Sequence, residues 1–291
     1  MFFGSIPALV TPFSGGRVAE DTFREFVEWQ IAEGSNALVP CGTTGEVATL
    51  THDEHREVVA IVVQVANGRV PVIAGCGSYS TAASIEMIRA AAHVGANAAL
   101  VVVPYYNKPS QAGLAAHFTA VAEASPLPII VYNVPSRTVA DISVETLAEV
   151  SRHSKIIGVK DATGNLARVT AQRLACGIDF CQLSGNDDMA LGFNAMGGVG
   201  CISVTANVAP KLCAEFQKAM REGRWDDALS LQDKLYPLHA ALFTDASPAP
   251  AKYALSRLRP GFPTELRLPL VEASEASKRA VNAALEHAGL A

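Results

Sequence analysis

One pattern recurs eight times along this chain: an apolar, β-branched run, then turn residues, then an amphipathic stretch with helical spacing. The apolar runs begin near Ile6, Asn36, Val70, Asn97, Pro128, Ile156, Phe180 and Val199. The helical stretches cover 21–32, 53–65, 81–93, 113–124, 144–151 and 166–175, then a short seventh at 188–195 and an eighth at 210–221. The runs are continuously hydrophobic, as strands of a parallel sheet covered on both faces must be. Eight such units in roughly 220 residues predict an α/β fold of the (β/α)8 (TIM) barrel type. A doubly wound open sheet is the alternative, but it uses fewer strands. Residues 1–224 are therefore expected to form the barrel. Residues 225–291, punctuated by Pro237, Pro248, Pro250, Pro260 and Pro263, are expected to form a C-terminal region of broken helices packed on the barrel or on another subunit.

Composition narrows the classes of function. The chain is 49% hydrophobic and 18% charged, which supports a large core and argues against disorder. The net charge is 23 − 28 = −5 with no dense Lys/Arg run, so neither nucleic acid nor an anionic membrane is expected as a partner. The longest apolar run, near 98–103, is too short to span a bilayer. The six cysteines are scattered without a CxxC pair, and the N-terminal MFFGSIPALV lacks a basic leader segment. A reduced, cytoplasmic protein is expected. Thr51-His52-Asp53-Glu54 has the spacing of a capping box and predicts a helix start. His52 and His55 are three apart, not the four of a helical zinc pair, and are expected to be surface or capping residues.

In a barrel of this type the chemistry sits where strands end. The sixth run, Ile156-Ile157-Gly158-Val159, ends in Lys160. A lysine there can snorkel to solvent. Burial instead favours the neutral amine, the form that attacks a carbonyl. Period-2 alternation places Gly158 on the same face as Lys160, leaving room for a lysine stem and a substrate, with Ile157 and Val159 facing the helices. Other strand ends bring Gly42-Thr43-Thr44-Gly45-Glu46, Tyr105-Tyr106, Tyr132 with Arg137 after it, and Cys201-Ile202-Ser203 to the same mouth. Tyr132 shares the inward face of its run with Ile130. The small, glycine-flanked threonine loop can turn backbone N–H groups onto a carboxylate, or be an ordinary tight turn. Arg137 can take a second carboxylate in a bidentate fork, or be a plain surface arginine. Gly75-Cys76-Gly77 lacks the third glycine of a dinucleotide fingerprint. Asp161, Asp187 and Asp188 are the strand-end carboxylates that metal-dependent chemistry could use, but the histidines fall mostly on helices, and no metal site is expected.

At these residues the chain closely resembles the dihydrodipicolinate synthase family, within the pyruvate Schiff-base lyases and aldolases. The likeness runs through GSIPALVTPF, CGTTGEVATLTHDEH, PVIAGCGS, VVPYYNKPSQ, YNVPSRT, GVKDATGNL, LSGND and ISVTANV. The resemblance implies that Lys160 forms a Schiff base with pyruvate and that the resulting enamine attacks L-aspartate 4-semialdehyde. It implies a proton relay of Tyr132, Thr43 and Tyr106, with Tyr106 reaching a neighbouring subunit's site. Thr44, with Thr43, would hold the pyruvate carboxylate, Arg137 the semialdehyde carboxylate, and Ile202 would line the floor through its carbonyl. No cofactor or metal is implied, and a homotetramer built as a dimer of dimers is. Sibling aldolases (N-acetylneuraminate lyase, 2-keto-3-deoxy-sugar-acid aldolases) keep the lysine and the GTTGE loop; Arg137 and the paired threonines favour the synthase. A non-catalytic barrel that binds a keto acid is the remote alternative. Lysine-inhibited relatives have serine, asparagine and glutamate where this chain has Val47, Tyr79 and Ala83, beside matching His52, His55 and Tyr105. That departure implies weak or absent lysine feedback.

Overall fold

The computed structural model describes residues 2–291. Seven parallel strands form one sheet: β1 (Gly4–Pro7), β4 (Ile73–Gly75), β5 (Ala98–Val102), β6 (Ile129–Asn133), β7 (Ile156–Asp161), β8 (Cys181–Ser184) and β9 (Gly200–Ser203). A separate antiparallel hairpin joins β2 (Phe13–Ser14) and β3 (Arg17–Val18). Its turn residues Gly15 and Gly16 take φ of 57° and 77°, the left-handed pair that a tight two-residue hairpin requires. The barrel strands run in the order β1-β9-β8-β7-β6-β5-β4, and the second predicted run closes the ring between β1 and β4. That run is not a regular strand. It makes single bridges, Ala8 to Val39 and Leu38 to Val72, supported by Leu9 N–H to the Val39 carbonyl at 2.9 Å and Ile73 N–H to the Leu38 carbonyl at 2.9 Å. Pro7, Pro40 and Pro71 flank these bridges and have no N–H to give, which thins the ladder there.

The helices alternate with the strands: α1 (Glu20–Ala32), α2 (His52–Ala66), α3 (Thr81–His93), α4 (Gln111–Ala124), the four-residue α5 (Pro135–Thr138), α6 (Val144–Val150), α7 (Ala167–Cys176), α8 (Ala190–Ala195) and α9 (Pro210–Arg221). α2 begins at the expected capping box: the Thr51 hydroxyl accepts from Glu54 N–H at 3.2 Å and the Glu54 carboxylate from Thr51 N–H at 2.9 Å. Beyond the eighth unit come α10 (Trp225–Ala241), α11 (Ala249–Leu258) and α12 (Glu275–His287). Pro237 does not break its helix; it lies inside α10. The Asp233 carbonyl that its missing N–H leaves free lies 3.4 Å from His287 Nε2 of α12. Pro248 and Pro250 instead sit at the start of α11, where a missing N–H costs nothing.

Apolar side chains separate into two layers. Ile6, Val39, Ile73, Leu100, Ile130, Leu183 and Ile202 fill the barrel interior, while Val101, Val131, Val159 and Cys201 face the helices with Phe23, Phe26 and Phe118. On β7 the alternation slips. A register shift opposite Ile129 and Ile130 puts Ile156 in the outer layer and Ile157 against the inner one, so Ile157 does not face the helices as simple period-2 counting expects. Val159 does.

Candidate active site

β6 and β7 stand side by side, with Tyr132 and Lys160 as cross-strand partners at their penultimate positions. Both side chains are buried at 7% exposure, and the Lys160 Nζ lies 4.2 Å from the centre of the Tyr132 ring. An amine held against a phenol inside an apolar barrel is suited to carbonyl addition with a proton donor and acceptor at hand. Gly158 does not open the room expected of it. A Cβ there would stand 2.4 Å from the Cys181 carbonyl oxygen, so the glycine allows the close approach of β8.

Behind this pair, on the outer face of the same strands, Asn133 and Asp161 are also register partners. Asp161 accepts from Thr163 N–H at 2.9 Å, the Thr163 hydroxyl at 2.6 Å, Gln172 Nε2 at 2.7 Å and Arg168 Nε at 3.2 Å. Asn133 donates to Asp141 at 2.7 Å, and Arg168 Nη2 donates to the Ile142 carbonyl at 2.7 Å. These bonds fix both strand ends to α7 and to the far end of the segment that carries Arg137. In sequence these residues offered one signal, a polar residue immediately after each inward-facing one. Asp187, another of the expected candidate carboxylates, is buried just after β8 and accepts from Val204 N–H at 2.9 Å and from the Ser203 hydroxyl. It thereby pins the end of β9, where Ile202 is fully packed in the interior beside Ile6. Asp161 and Asp187 are thus occupied in holding strand ends.

The loop after the second run turns tightly. Gly45 N–H donates to the Gly42 carbonyl at 3.0 Å and Glu46 N–H to the Thr43 carbonyl at 3.1 Å, which leaves the amides of Thr43 and Thr44 outside the turn's own bonds. The Thr11 hydroxyl donates to the Gly45 carbonyl at 2.8 Å. Thr44 is buried and Thr43 exposed. Gly75, at the end of β4, makes this path possible, because a Cβ there would lie 2.1 Å from the Cys41 carbonyl oxygen.

Two expected site residues are not gathered in within one chain. Arg137 is exposed on α5, and Tyr106 is 92% exposed with a left-handed φ of 69°. Among the described residues no hydrogen bond joins Tyr132, Thr43 and Tyr106. Tyr105 packs edge-on against Tyr79, with ring centres 5.5 Å apart, and burial pushes its phenol up. His55 is not a surface residue. It is 2% exposed and its Nε2 lies 2.7 Å from the Gly75 carbonyl, so Nε2 carries the proton, and burial pushes its pKa down. Desolvation pushes the buried thiols of Cys41, Cys76, Cys201 and Cys213 up, which favours the protonated form. A separate cleft bordered by Phe3, Asn194, Val199 and Arg221 opens where β1 and β9 begin, at the opposite end of the strands from Lys160.

Comparison with known proteins decides the family. The model of the dihydrodipicolinate synthetase family matches residues 1–288. The chain belongs to this family. The 4-hydroxy-tetrahydrodipicolinate synthase of Rhizorhabdus wittichii is 66% identical over 291 residues, with 100% of both chains covered. That of Zymomonas mobilis is 67% identical over 290 residues, again with 100% of both covered. Among solved structures, the chloride-inhibited dihydrodipicolinate synthase of Acinetobacter baumannii complexed with pyruvate has 42% identity and a TM-score of 0.97, with 100% of both chains covered. The family's barrel with its C-terminal helical part is the fold seen here. As a family member the chain is an enzyme of the lyase class. No helix among the described residues is long and apolar enough to cross a membrane.

Proposed function

We propose that this chain condenses pyruvate with L-aspartate 4-semialdehyde through a Schiff base on Lys160, giving 4-hydroxy-tetrahydrodipicolinate for lysine and diaminopimelate biosynthesis. The observation that carries the residue assignment is the facing pair Tyr132 and Lys160, buried together with Nζ 4.2 Å from the ring centre. The neutral Lys160 amine adds to the pyruvate ketone, and loss of water gives a protonated imine. That cation draws a proton off the methyl carbon and leaves an enamine. The enamine carbon attacks the aldehyde, whose oxygen takes up a proton. The semialdehyde's own amine then adds to the imine carbon and expels Lys160 as the cyclic product forms. Tyr132, with Thr43 and Tyr106, carries the protons, since hydroxyls both donate and accept. Thr43 and Thr44 receive the pyruvate carboxylate, Arg137 the semialdehyde carboxylate, and Ile202 borders the floor of the site.

The solvent-exposed Tyr106 supports a homo-oligomer in which it completes a neighbouring site, a tetramer by analogy with the family. The free, mostly buried cysteines support a cytoplasmic setting. Residues 1–224 act as the catalytic barrel and 225–291 as the helical region beside it. No organic cofactor or metal takes part in this reading.

The test is to incubate the protein with pyruvate, reduce with borohydride and map the adduct by mass spectrometry, with parallel turnover assays on aspartate semialdehyde and on a sugar aldehyde. An adduct on Lys160 with semialdehyde turnover upholds the proposal. Turnover of the sugar aldehyde alone would move the chain to the sibling aldolases. Absence of any adduct would overturn the Schiff-base mechanism.

A further inference from the structure

The longest-range buried ion pair joins the threonine loop to the C-terminal helices. Glu46 directly follows Thr43-Thr44-Gly45, and its carboxylate accepts from Lys252 Nζ of α11 at 2.6 Å. Both side chains are 0% exposed. Lys252 Nζ also donates to the Glu265 carbonyl at 2.7 Å, and the second Glu46 oxygen accepts from Arg267 N–H at 3.1 Å. The Arg267 guanidinium reaches the Thr49 carbonyl at 2.9 Å, at the end of the short 3-10 turn that Glu46 begins. Lys252 and Arg267 both lie over the Phe13 ring, at 4.5 and 4.3 Å from its centre. These three bonds to the Glu46 carboxylate and its turn come from two residues of the C-terminal region, Lys252 and Arg267.

The backbone of Glu46 is left-handed, with φ of 56°, a conformation disfavoured for a residue with a Cβ. Its side chain therefore anchors a strained corner, and the strain falls next to the two threonines. A fully buried ion pair is a poor device for stability, because desolvating two charges cancels most of their attraction and an apolar pair of like volume serves as well. What it supplies is direction: the 2.6 Å contact allows one placement of the loop relative to α11.

We propose that Lys252 is a positioning residue for pyruvate: through Glu46 it holds the Thr43–Thr44 loop in the geometry that receives the keto acid's carboxylate. The C-terminal helices thereby act on a substrate subsite of the barrel without touching substrate. This rests on the proposed function, and its test is read separately from it.

The experiment uses the full-length double variant Glu46→Gln/Lys252→Met, which removes both charges and leaves neither partner buried alone. Steady-state kinetics with each substrate varied, thermal unfolding by circular dichroism, and borohydride trapping are measured on the variant and the parent. The expected result is a folded protein whose pyruvate KM rises by about tenfold or more, with kcat at saturating pyruvate and the semialdehyde KM changed by less than about threefold. Trapping at saturating pyruvate still yields the Lys160 adduct. A folded double variant with pyruvate KM within about twofold of the parent overturns the proposal, as does a parallel fall of kcat and both affinities. If the double variant does not fold, Glu46→Asp decides. It keeps both charges and draws the carboxylate back by one methylene, so pyruvate KM must rise several-fold; an unchanged value overturns the proposal. Failure of the parent itself to form an adduct would count against the Schiff-base reading instead.

Discussion

Asp161 sits on the opposite face of β7 from Lys160, and its carboxylate is gripped by Arg168 at 3.2 Å in a setting where the aspartate side chain is 3% and the arginine 13% exposed. The residue that stiffens the strand end bearing Lys160 is therefore its immediate neighbour in sequence. Removing one partner of so buried a pair strands the other. Arg168→Met should destabilise the fold by about 3 kcal/mol, read as a lowered urea midpoint with unchanged m-value. A loss below about 0.5 kcal/mol would mean that Gln172 and Thr163 satisfy Asp161 unaided.

Lys160→Ala should abolish the borohydride-trapped pyruvate adduct and lower kcat by at least about a thousandfold, while circular dichroism stays native. Tyr132→Phe keeps the ring beside Nζ but removes the hydroxyl proposed to carry the proton. It should retain the adduct while lowering kcat by about a hundredfold, as loss of a general acid–base group does. Equal rates in the parent and Tyr132→Phe would contradict the relay.

Tyr106→Phe should lower kcat with no change in unfolding temperature, since the side chain makes almost no contact within its own chain. Mixing an inactive Lys160→Ala protein with the Tyr106→Phe protein tests the sharing of sites. Recovery of activity in mixed oligomers is expected; activity no higher than the sum of the two alone would argue that Tyr106 serves its own subunit.

Acid should weaken the protein in two windows. Burial holds His117 down at about 4 from its usual 6.5, so the folded state resists its protonation. Stability that is complete above pH 6.5 is lost as pH falls towards 4. The Arg267 guanidinium holds Glu54 down at about 2 from 4.5, so its contribution is complete above pH 4.5 and is lost as pH falls towards 2. Glu54→Gln should lower stability at pH 7 and flatten its decline below pH 4.5. An unaltered acid limb in equilibrium unfolding would show that Glu54 is not the group responsible.

Lysine should inhibit weakly or not at all. The family resemblance implies serine, asparagine and glutamate at the positions of Val47, Tyr79 and Ala83 in lysine-inhibited relatives, and here Tyr79 packs edge-on against Tyr105 at 5.5 Å. No carboxylate at position 83 is available to pair with an effector's amino group. Steady-state assays across lysine concentrations check this, and a sub-millimolar inhibition constant would contradict it.

The repeated run of apolar strand and amphipathic helix by itself determined the barrel, because a parallel sheet must be covered on both faces and so writes its strands as unbroken hydrophobic runs. Period-2 counting likewise put Tyr132 on the face of Ile130 and Lys160 on the face of Gly158, since alternation is a local property of an extended chain. Counting failed at Ile157, where the register shifts against the neighbouring strand, and at Gly158, whose lack of a side chain answers to Cys181 on β8. Pro237 did not break α10, and His55 turned inward to the Gly75 carbonyl; both outcomes depend on partners distant in sequence. The same holds for Glu46 and Lys252, which lie 206 residues apart. A pattern along one segment can say which face is buried, but it carries no information about which distant group meets that face. The tertiary structure decided that, because buried charges and strained corners persist only where particular partners satisfy them.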